Sequence, residues 1–140
     1  MEKNLSRTQT RENLIAAIYD NLILNGKDTD IDVVSTLLKI FHKSSLEDID
    51  LFPKEIYLAC YKNYDEIVTL VQSKLVKWTF SRLNNLAQAL FLEVVAENVY
   101  AKLTTKKVLI DFAVDYAKKY LSSTDYRYIN AVLDKILIDL

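Results

Sequence analysis

The sequence has 140 residues, of which 51% are hydrophobic and 26% charged, with a formal net charge of −1. This composition supports a packed core and excludes global disorder, and the near-zero net charge does not by itself indicate a nucleic-acid-binding protein. A single cysteine excludes an internal disulfide and a multi-cysteine metal site. The N-terminus is polar and no apolar run approaches the length of a membrane span, so we expect a soluble cytoplasmic protein without a membrane partner.

The counts of one glycine and one proline favour helices over sheets. A multi-stranded protein of this size needs many tight turns, and tight turns need residues that accept positive φ or pre-set φ. Gly26 and Pro53 alone cannot supply them. We therefore predict an all-α protein.

Four helices are predicted in the first half of the chain. Ser6 and Gln9 form a capping-box pattern that opens the first helix, and Gly26 would end it. Asp30 could cap the second helix, and Pro53 suits the first turn of the third. The apolar spacing predicts these inward-facing residues: Leu14, Ile15, Ile18 and Leu22, then Ile31, Val34, Leu38 and Phe41, then Ile56, Tyr57 and Cys60.

A further capping-box pattern, Asn63 with Glu66, predicts a short fourth helix. Trp78 and Phe80 mark a bulky hinge, after which a long helix is predicted from about Arg82 to Tyr100. Its wide apolar coverage is typical of a central helix that is surrounded by others.

Two more helices are predicted in the C-terminal part. Thr104 or Thr105 can cap the sixth helix, and a loop from Ser122 to Asp125 precedes the seventh. Tyr57, Tyr116 and Tyr120 lie on predicted core stripes. The buried side of the last helix is predicted to consist of Ile129, Val132, Leu133, Ile136 and Leu140.

Seven helices with short connections predict a helical bundle. We expect two small bundles packed into one compact unit, an N-terminal bundle over residues 1–76 and a C-terminal bundle over residues 77–140.

Five segments match the motifs of one known family, in that family's order. Tyr128 to Lys135 is similar to "F-V-N-G-V-L-D-K", and Lys107 to Lys118 is similar to "K-V-A-I-N-E-A-V-E-L-A-K". Trp78 to Leu83 resembles "W…-L-S-R-L", Glu97 matches the glutamate of a "Y-E" pair, and the stretch from Arg11 to Tyr19 resembles "A-R-E-x-A-x-Q-A-L-Y". These motifs belong to the NusB family of bacterial transcription antitermination factors, and the resemblance covers roughly residues 5 to 138.

The resemblance implies a fold of two three-helix bundles around a long central helix. It also implies binding rather than catalysis, without a cofactor. NusB pairs with the small-subunit ribosomal protein also called NusE, and together they hold the boxA element of nascent ribosomal RNA within the transcription complex. Some relatives self-associate, so a homodimer stays open. Ribosomal RNA cytosine methyltransferases also carry a NusB-like domain, but no cofactor-binding segment follows here, so we expect no enzymatic activity.

The first candidate RNA contacts lie at the start of the first helix, where the family has an arginine-rich stretch. Arg7 and Arg11 are four residues apart and so share a helical face that could straddle phosphates, with Lys3 in support. Thr and Gln stand between them, which predicts weaker and less salt-dependent RNA affinity. The alternative is that these are ordinary solvated charges.

Arg127 and Tyr128, at the start of the last helix, are the other candidate RNA contacts, since they match a family position that lies near bound RNA. The aromatic ring could stack on an unpaired base while Arg127 meets phosphate. The alternative is that Tyr128 packs on the core. His42 has no second ligand at metal spacing, and Cys60 is expected to pack as a small hydrophobe, so no metal site or Cys–His nucleophile is expected.

Two departures from the family motifs support a second hypothesis. Residues Ala87 to Leu92 lose an acidic and a basic residue of the central helix, on a face that partners use in relatives. Phe112 stands where the family has a glutamate, which changes a core contact or a protein interface. A divergent NusB-fold interaction scaffold with little or no RNA affinity is therefore the alternative function.

Overall fold

The computed structural model describes residues 5–25, 32–122 and 125–140. Those ranges contain no strand and seven α-helices: α1 Arg7–Asn25, α2 Val33–Phe41, α3 Leu51–Lys62, α4 Tyr64–Gln72, α5 Asn85–Val95, α6 Lys106–Tyr120 and α7 Asp125–Ile136. Short 3₁₀ turns cover Leu46–Asp48 and Phe80–Arg82, and a π-helical turn covers Ala96–Tyr100. The all-helical prediction is confirmed. None of the helices in these ranges is long and apolar enough to cross a membrane.

Helix α1 begins as its capping box predicts. The Gln9 N–H donates to Ser6 Oγ and the Ser6 N–H donates to Gln9 Oε1, both at 3.1 Å. These two bonds satisfy backbone donors that the first helical turn would otherwise leave without partners. The predicted terminator Gly26 lies outside the described residues.

Helix α2 is capped by Asp32, whose carboxylate accepts from the Val34 and Ser35 N–H groups at 3.1 and 3.2 Å. The predicted cap, Asp30, and the predicted core residue Ile31 lie outside the described residues. The side chain that α2 buries completely is Leu37, which the predicted stripe missed. The predicted residues Val34, Leu38 and Phe41 are only partly buried.

Helix α3 has Pro53 in its first turn, as predicted. Asn63, by contrast, makes no capping bond to α4. Its amide instead donates to the Ala59 carbonyl at 2.9 Å and so satisfies an acceptor at the end of α3. The capping-box prediction for Asn63 with Glu66 is therefore wrong, because the same side chain serves the preceding helix.

Helix α5 is the central helix, and every residue from Ala87 to Val95 is buried. It starts at Asn85, about three residues later than predicted, because Asn84 caps it by accepting from the Leu86 N–H at 2.8 Å. The helix continues into the π-helical turn, which ends at the predicted residue Tyr100. The altered segment Ala87 to Leu92 therefore faces the interior of this protein rather than a partner.

Helices α6 and α7 pack against each other and against α5. The predicted core residues of α7 are buried, except that Leu140 lies beyond the helix and is 55% exposed. Tyr57 and Tyr116 are buried as predicted. The prediction for Tyr120 is wrong, since the residue is 51% exposed and its hydroxyl donates to Glu12 at 3.0 Å.

One hydrophobic cluster includes residues from both predicted bundles, among them Leu14 and Ile56 from the first and Leu90 and Leu133 from the second. Helix α1 packs along α5 and brings the N-terminal segment against the C-terminal one. The boundary between residues 76 and 77 stays a prediction.

Candidate nucleic-acid interface

Arg7 is exposed at the first position of α1, as an RNA contact would require. Its guanidinium carbon lies 3.6 Å from the centroid of the Phe52 ring, which comes from α3. Stacking on an aromatic face orients an arginine while leaving its N–H groups free to meet phosphate. Lys3, the supporting cation in the prediction, lies outside the described residues.

Arg11 lies in the protein interior, which corrects the expectation that it meets RNA. Its side chain is only 7% exposed, and Glu97, its partner, is fully buried. Arg11 Nη2 donates to Glu97 Oε2 at 2.8 Å, and Nε lies 3.0 Å from both carboxylate oxygens. This guanidinium is committed to the Glu97 carboxylate, and the contact joins α1 to the π-helical turn.

Aromatic rings enclose the Arg11 guanidinium. Its central carbon lies 5.8 Å from the Phe52 ring centroid and 5.6 Å from that of Phe112. Phe112 also packs against Tyr116 with a centroid distance of 5.9 Å. The aromatic residue that replaces a charge in the family motif thus makes an intramolecular contact.

A second buried carboxyl lies one helical turn before Glu97. Glu93 is 0% exposed, and neither of its carboxyl oxygens has a hydrogen-bond partner among the described residues. Burial raises the pKa of Glu93 well above its ordinary value, and the negative charge of Glu97 raises it further, while Arg11 opposes both. Two carboxyls share one arginine here, and burial and the charge of Glu97 both favour the neutral form of Glu93.

The start of α7 gathers positive charge around one ring, that of Tyr126. Lys118 Nζ lies 5.1 Å from the ring centroid, and the Arg127 guanidinium carbon lies 5.9 Å from it. The hydrogen bond from Arg127 lowers the pKa of the Tyr126 phenol, and the positive charges of Arg127 and Lys118 lower it further. Arg127 is exposed, so the structure leaves this predicted contact accessible.

Tyr128 packs partly on the core and is partly accessible. Its ring centroid lies 6.3 Å from that of Phe91 in the central helix. Burial, followed by the negative charge of Asp125, raises the pKa of Tyr128 to about 12. The core-packing alternative therefore applies in part, and stacking of the accessible part on RNA stays a prediction.

A groove of about 480 Å³ separates the beginning of α1 from α6, and we call it the α1–α6 groove. Its lining includes Lys118, Lys119 and the exposed Tyr120, with Thr8 across from them on α1. Carboxylates also line it, namely Glu12, Asp111 and Asp115. The groove is consequently mixed in charge, with its two lysines at the end nearer α7.

Lys118 and Lys119 were not among the predicted contacts. They occupy the last turn of α6, where cations are favoured by the helix dipole, so their presence there has an ordinary structural explanation. What the sequence does not reveal is that Lys118, near the end of α6, lies over the Tyr126 ring of α7. The adjacent residues Lys118, Lys119 and Tyr120 form a basic-aromatic run that could have suggested this surface.

Comparison with known proteins places these observations in a family. The model of the NusB family matches residues 8–137. The transcription antitermination protein NusB of Finegoldia magna is 31% identical over 133 residues, which cover 95% of this chain and 94% of the relative. NusB of Treponema denticola is 36% identical over 86 residues, which cover 61% of this chain and 63% of the relative.

Solved structures share the fold. A T. maritima NusB structure superposes with a TM-score of 0.79 at 23% identity, covering 96% of this chain and 92% of the other. A chain from the crystal structure of "a Plectonemic RNA Supercoil" superposes with a TM-score of 0.75 at 19% identity, covering 93% of this chain and 92% of the other. At these identities the likeness establishes the helical architecture.

Proposed function

The chain belongs to the NusB family, and we propose that it is an RNA- and protein-binding adaptor of transcription antitermination and ribosomal RNA synthesis. In this proposal it binds boxA-type single-stranded RNA together with a small-subunit ribosomal protein of the NusE type, and it catalyses no reaction. Its RNA contacts are Arg7, Arg127 and Tyr128, with Lys3 in support. We add Lys118 and Lys119 and leave out the buried Arg11.

The single observation that carries the proposal is the cluster at the junction of α6 and α7. Arg127 and Lys118 flank one aromatic ring, and Tyr128 follows Arg127 directly. Single-stranded RNA is bound by such combinations, in which cations meet phosphates and aromatic rings stack on unpaired bases. The start of a helix adds backbone N–H groups that favour anions.

Electrophoretic mobility shifts test the proposal. The full chain is titrated against boxA-type RNA at low salt, with and without the ribosomal protein. We expect a shift that the ribosomal protein strengthens, and a weaker shift with a scrambled RNA of the same length. Absence of a shift in both titrations would overturn the proposal.

A second candidate function is a NusB-fold interaction scaffold with little or no RNA affinity. The burial of Arg11 favours it, because the start of α1 then offers one described arginine instead of two. The carboxylates of the α1–α6 groove favour it as well, since they repel phosphate. Binding of the ribosomal protein without any RNA shift would select this function.

A further inference from the structure

A second basic and aromatic site lies on the other side of Tyr128. It is a pocket of about 190 Å³ between α7 and the segment that connects α4 to α5. We call it the lysine pocket, and its lining includes Lys74, Lys77, Trp78, Tyr128, Val132 and Lys135. Pockets for drug-sized molecules measure roughly 300–1,000 Å³, so this one suits a single planar group.

The charge of the lysine pocket has one sign. Its three lysines are exposed, and among the described residues no carboxylate belongs to its lining. Asp134 is next to Lys135 in sequence, but its carboxylate lies 3.3 Å from Lys106 Nζ and is paired there. The pocket therefore attracts anions more strongly than the α1–α6 groove does, since the lysines of that groove share it with carboxylates.

Trp78 is held in an exposed position. Gln72 Nε2 donates to the Trp78 carbonyl at 3.0 Å, and the Phe80 N–H donates to Gln72 Oε1 at 2.7 Å. Phe80 is buried and anchors the segment, whereas Trp78 remains 57% exposed. These bonds hold the backbone on which the exposed ring stands, so less conformational freedom is lost when a flat partner stacks on it.

We propose that the lysine pocket seats an unpaired base of single-stranded RNA against Trp78 and Tyr128, with the flanking phosphates at Lys74, Lys77 and Lys135. This inference rests on the proposed function and extends its RNA surface past Tyr128. An acidic peptide could meet the lysines, but it would leave the two aromatic rings without stacking partners. A nucleotide uses both features.

Trp78 is the only tryptophan of the sequence, so its fluorescence reports on this pocket directly. The full chain is titrated with a short single-stranded boxA-type oligoribonucleotide at low salt. We expect quenching of Trp78 emission with the same midpoint as the mobility shift. Trp78→Ala should weaken binding by about 5- to 150-fold, the range for loss of one stacked base, and Trp78→Phe should restore most of the affinity.

The lysines are tested by salt dependence. The double variant Lys74→Ala/Lys135→Ala should make the negative slope of log K against log salt shallower by about 1.4, since each phosphate contact on a single strand contributes about −0.7. The matched control is Lys39→Ala/Lys62→Ala, which removes two exposed lysines that lie outside the groove and the pocket. The control should keep the parent slope.

The outcomes separate the two proposals. A normal mobility shift with unchanged Trp78 emission, or with equal slopes for the two double variants, overturns the lysine pocket and leaves the proposed function standing. Quenching by the ribosomal protein but not by RNA overturns the choice of RNA as the occupant. If the parent chain gives no shift at all, the proposed function fails and the inference fails with it.

Discussion

Arg11 of α1 and Glu97 of the π-helical turn form a buried ion pair, with 2.8 Å between Nη2 and Oε2. The Thr104 hydroxyl donates to the same Glu97 oxygen, which gives the carboxylate a second kind of donor. Buried carboxylates persist where they are paired and fully hydrogen-bonded. This pair therefore fixes how the first helix lies on the central one, and with it the position of Arg7.

Arg11→Met should reduce the free energy of unfolding by about 3–5 kcal/mol, because it leaves the Glu97 carboxylate buried without its cation. Urea unfolding followed by circular dichroism measures this. The double variant Arg11→Met/Glu97→Leu should recover most of the loss, since apolar replacement of a whole buried pair is often close to neutral. An unchanged unfolding midpoint for Arg11→Met would refute the structural role.

The same burial changes how the RNA contacts at α1 have to be tested. A double variant of Arg7 and Arg11 would lose RNA binding and stability together, so it could not assign either role. Arg7→Ala alone should cost much less stability than Arg11→Met, because Arg7 is exposed. It is therefore the variant for RNA binding at this end of the protein.

Glu93 makes stability depend on pH. The pKa of Glu93 is raised in the folded state. The stability that its protonated form contributes to folding is therefore fully present below its ordinary pKa of 4.5 and is lost as the pH rises through the folded-state value. Within that window the loss is about 1.4 kcal/mol per pH unit for one proton. Glu93→Gln keeps a neutral side chain that does not titrate, so its stability advantage over the parent should grow as pH rises. Thermal melts across a pH series measure it.

The control for Glu93 is Glu55→Gln, which removes an exposed carboxylate from α3. Its melting temperature should follow that of the parent at every pH. The other groups that interact electrostatically with Glu93 are Glu97, Arg11, Cys60 and Tyr116. If Glu93→Gln and the parent show the same pH dependence, then Glu93 is not the titrating group.

Much of the fold could be predicted from local patterns. The reciprocal bonds of Ser6 and Gln9 involve residues three apart, so sequence spacing specifies them. The burial of α5 followed from apolar coverage on all its sides. The capping-box prediction for Asn63 was wrong because one side-chain amide can bond to either of two adjacent helices. The sequence does not decide which helix it serves.

The candidate site was less predictable because it depends on contacts between distant residues. Arg11 was expected at the surface, either as a phosphate contact or as a solvated charge, yet its partner is 86 residues away in sequence. Lys118 and Arg127 lie over the same ring, that of Tyr126, only once α6 and α7 have packed. The lysine pocket likewise joins residues of the α4–α5 connection to residues of α7.

The burial of Leu133 predicts a cost that depends on packing alone. It is 0% exposed in the hydrophobic cluster. Leu133→Ala should therefore destabilise the protein by about 2–5 kcal/mol, through lost burial and the cavity left behind. Leu140→Ala is the matched control, since Leu140 is 55% exposed, and should change the unfolding free energy by no more than about 0.5 kcal/mol. Equal midpoints in urea for both variants would contradict the packing seen in α7.

The cations at the junction of α6 and α7 lead to a prediction about the salt dependence of RNA binding rather than about stability. Arg127→Ala/Lys118→Ala removes the two cations that flank Tyr126 and changes no buried side chain. If each cation meets one phosphate, the negative slope of log K against log salt becomes shallower by about 1.4 for boxA-type RNA. Mobility shifts at several salt concentrations measure the slope, with Lys39→Ala/Lys62→Ala as the control of equal charge. A parallel loss of affinity in both variants would show that only net charge matters and would remove the junction from the RNA surface.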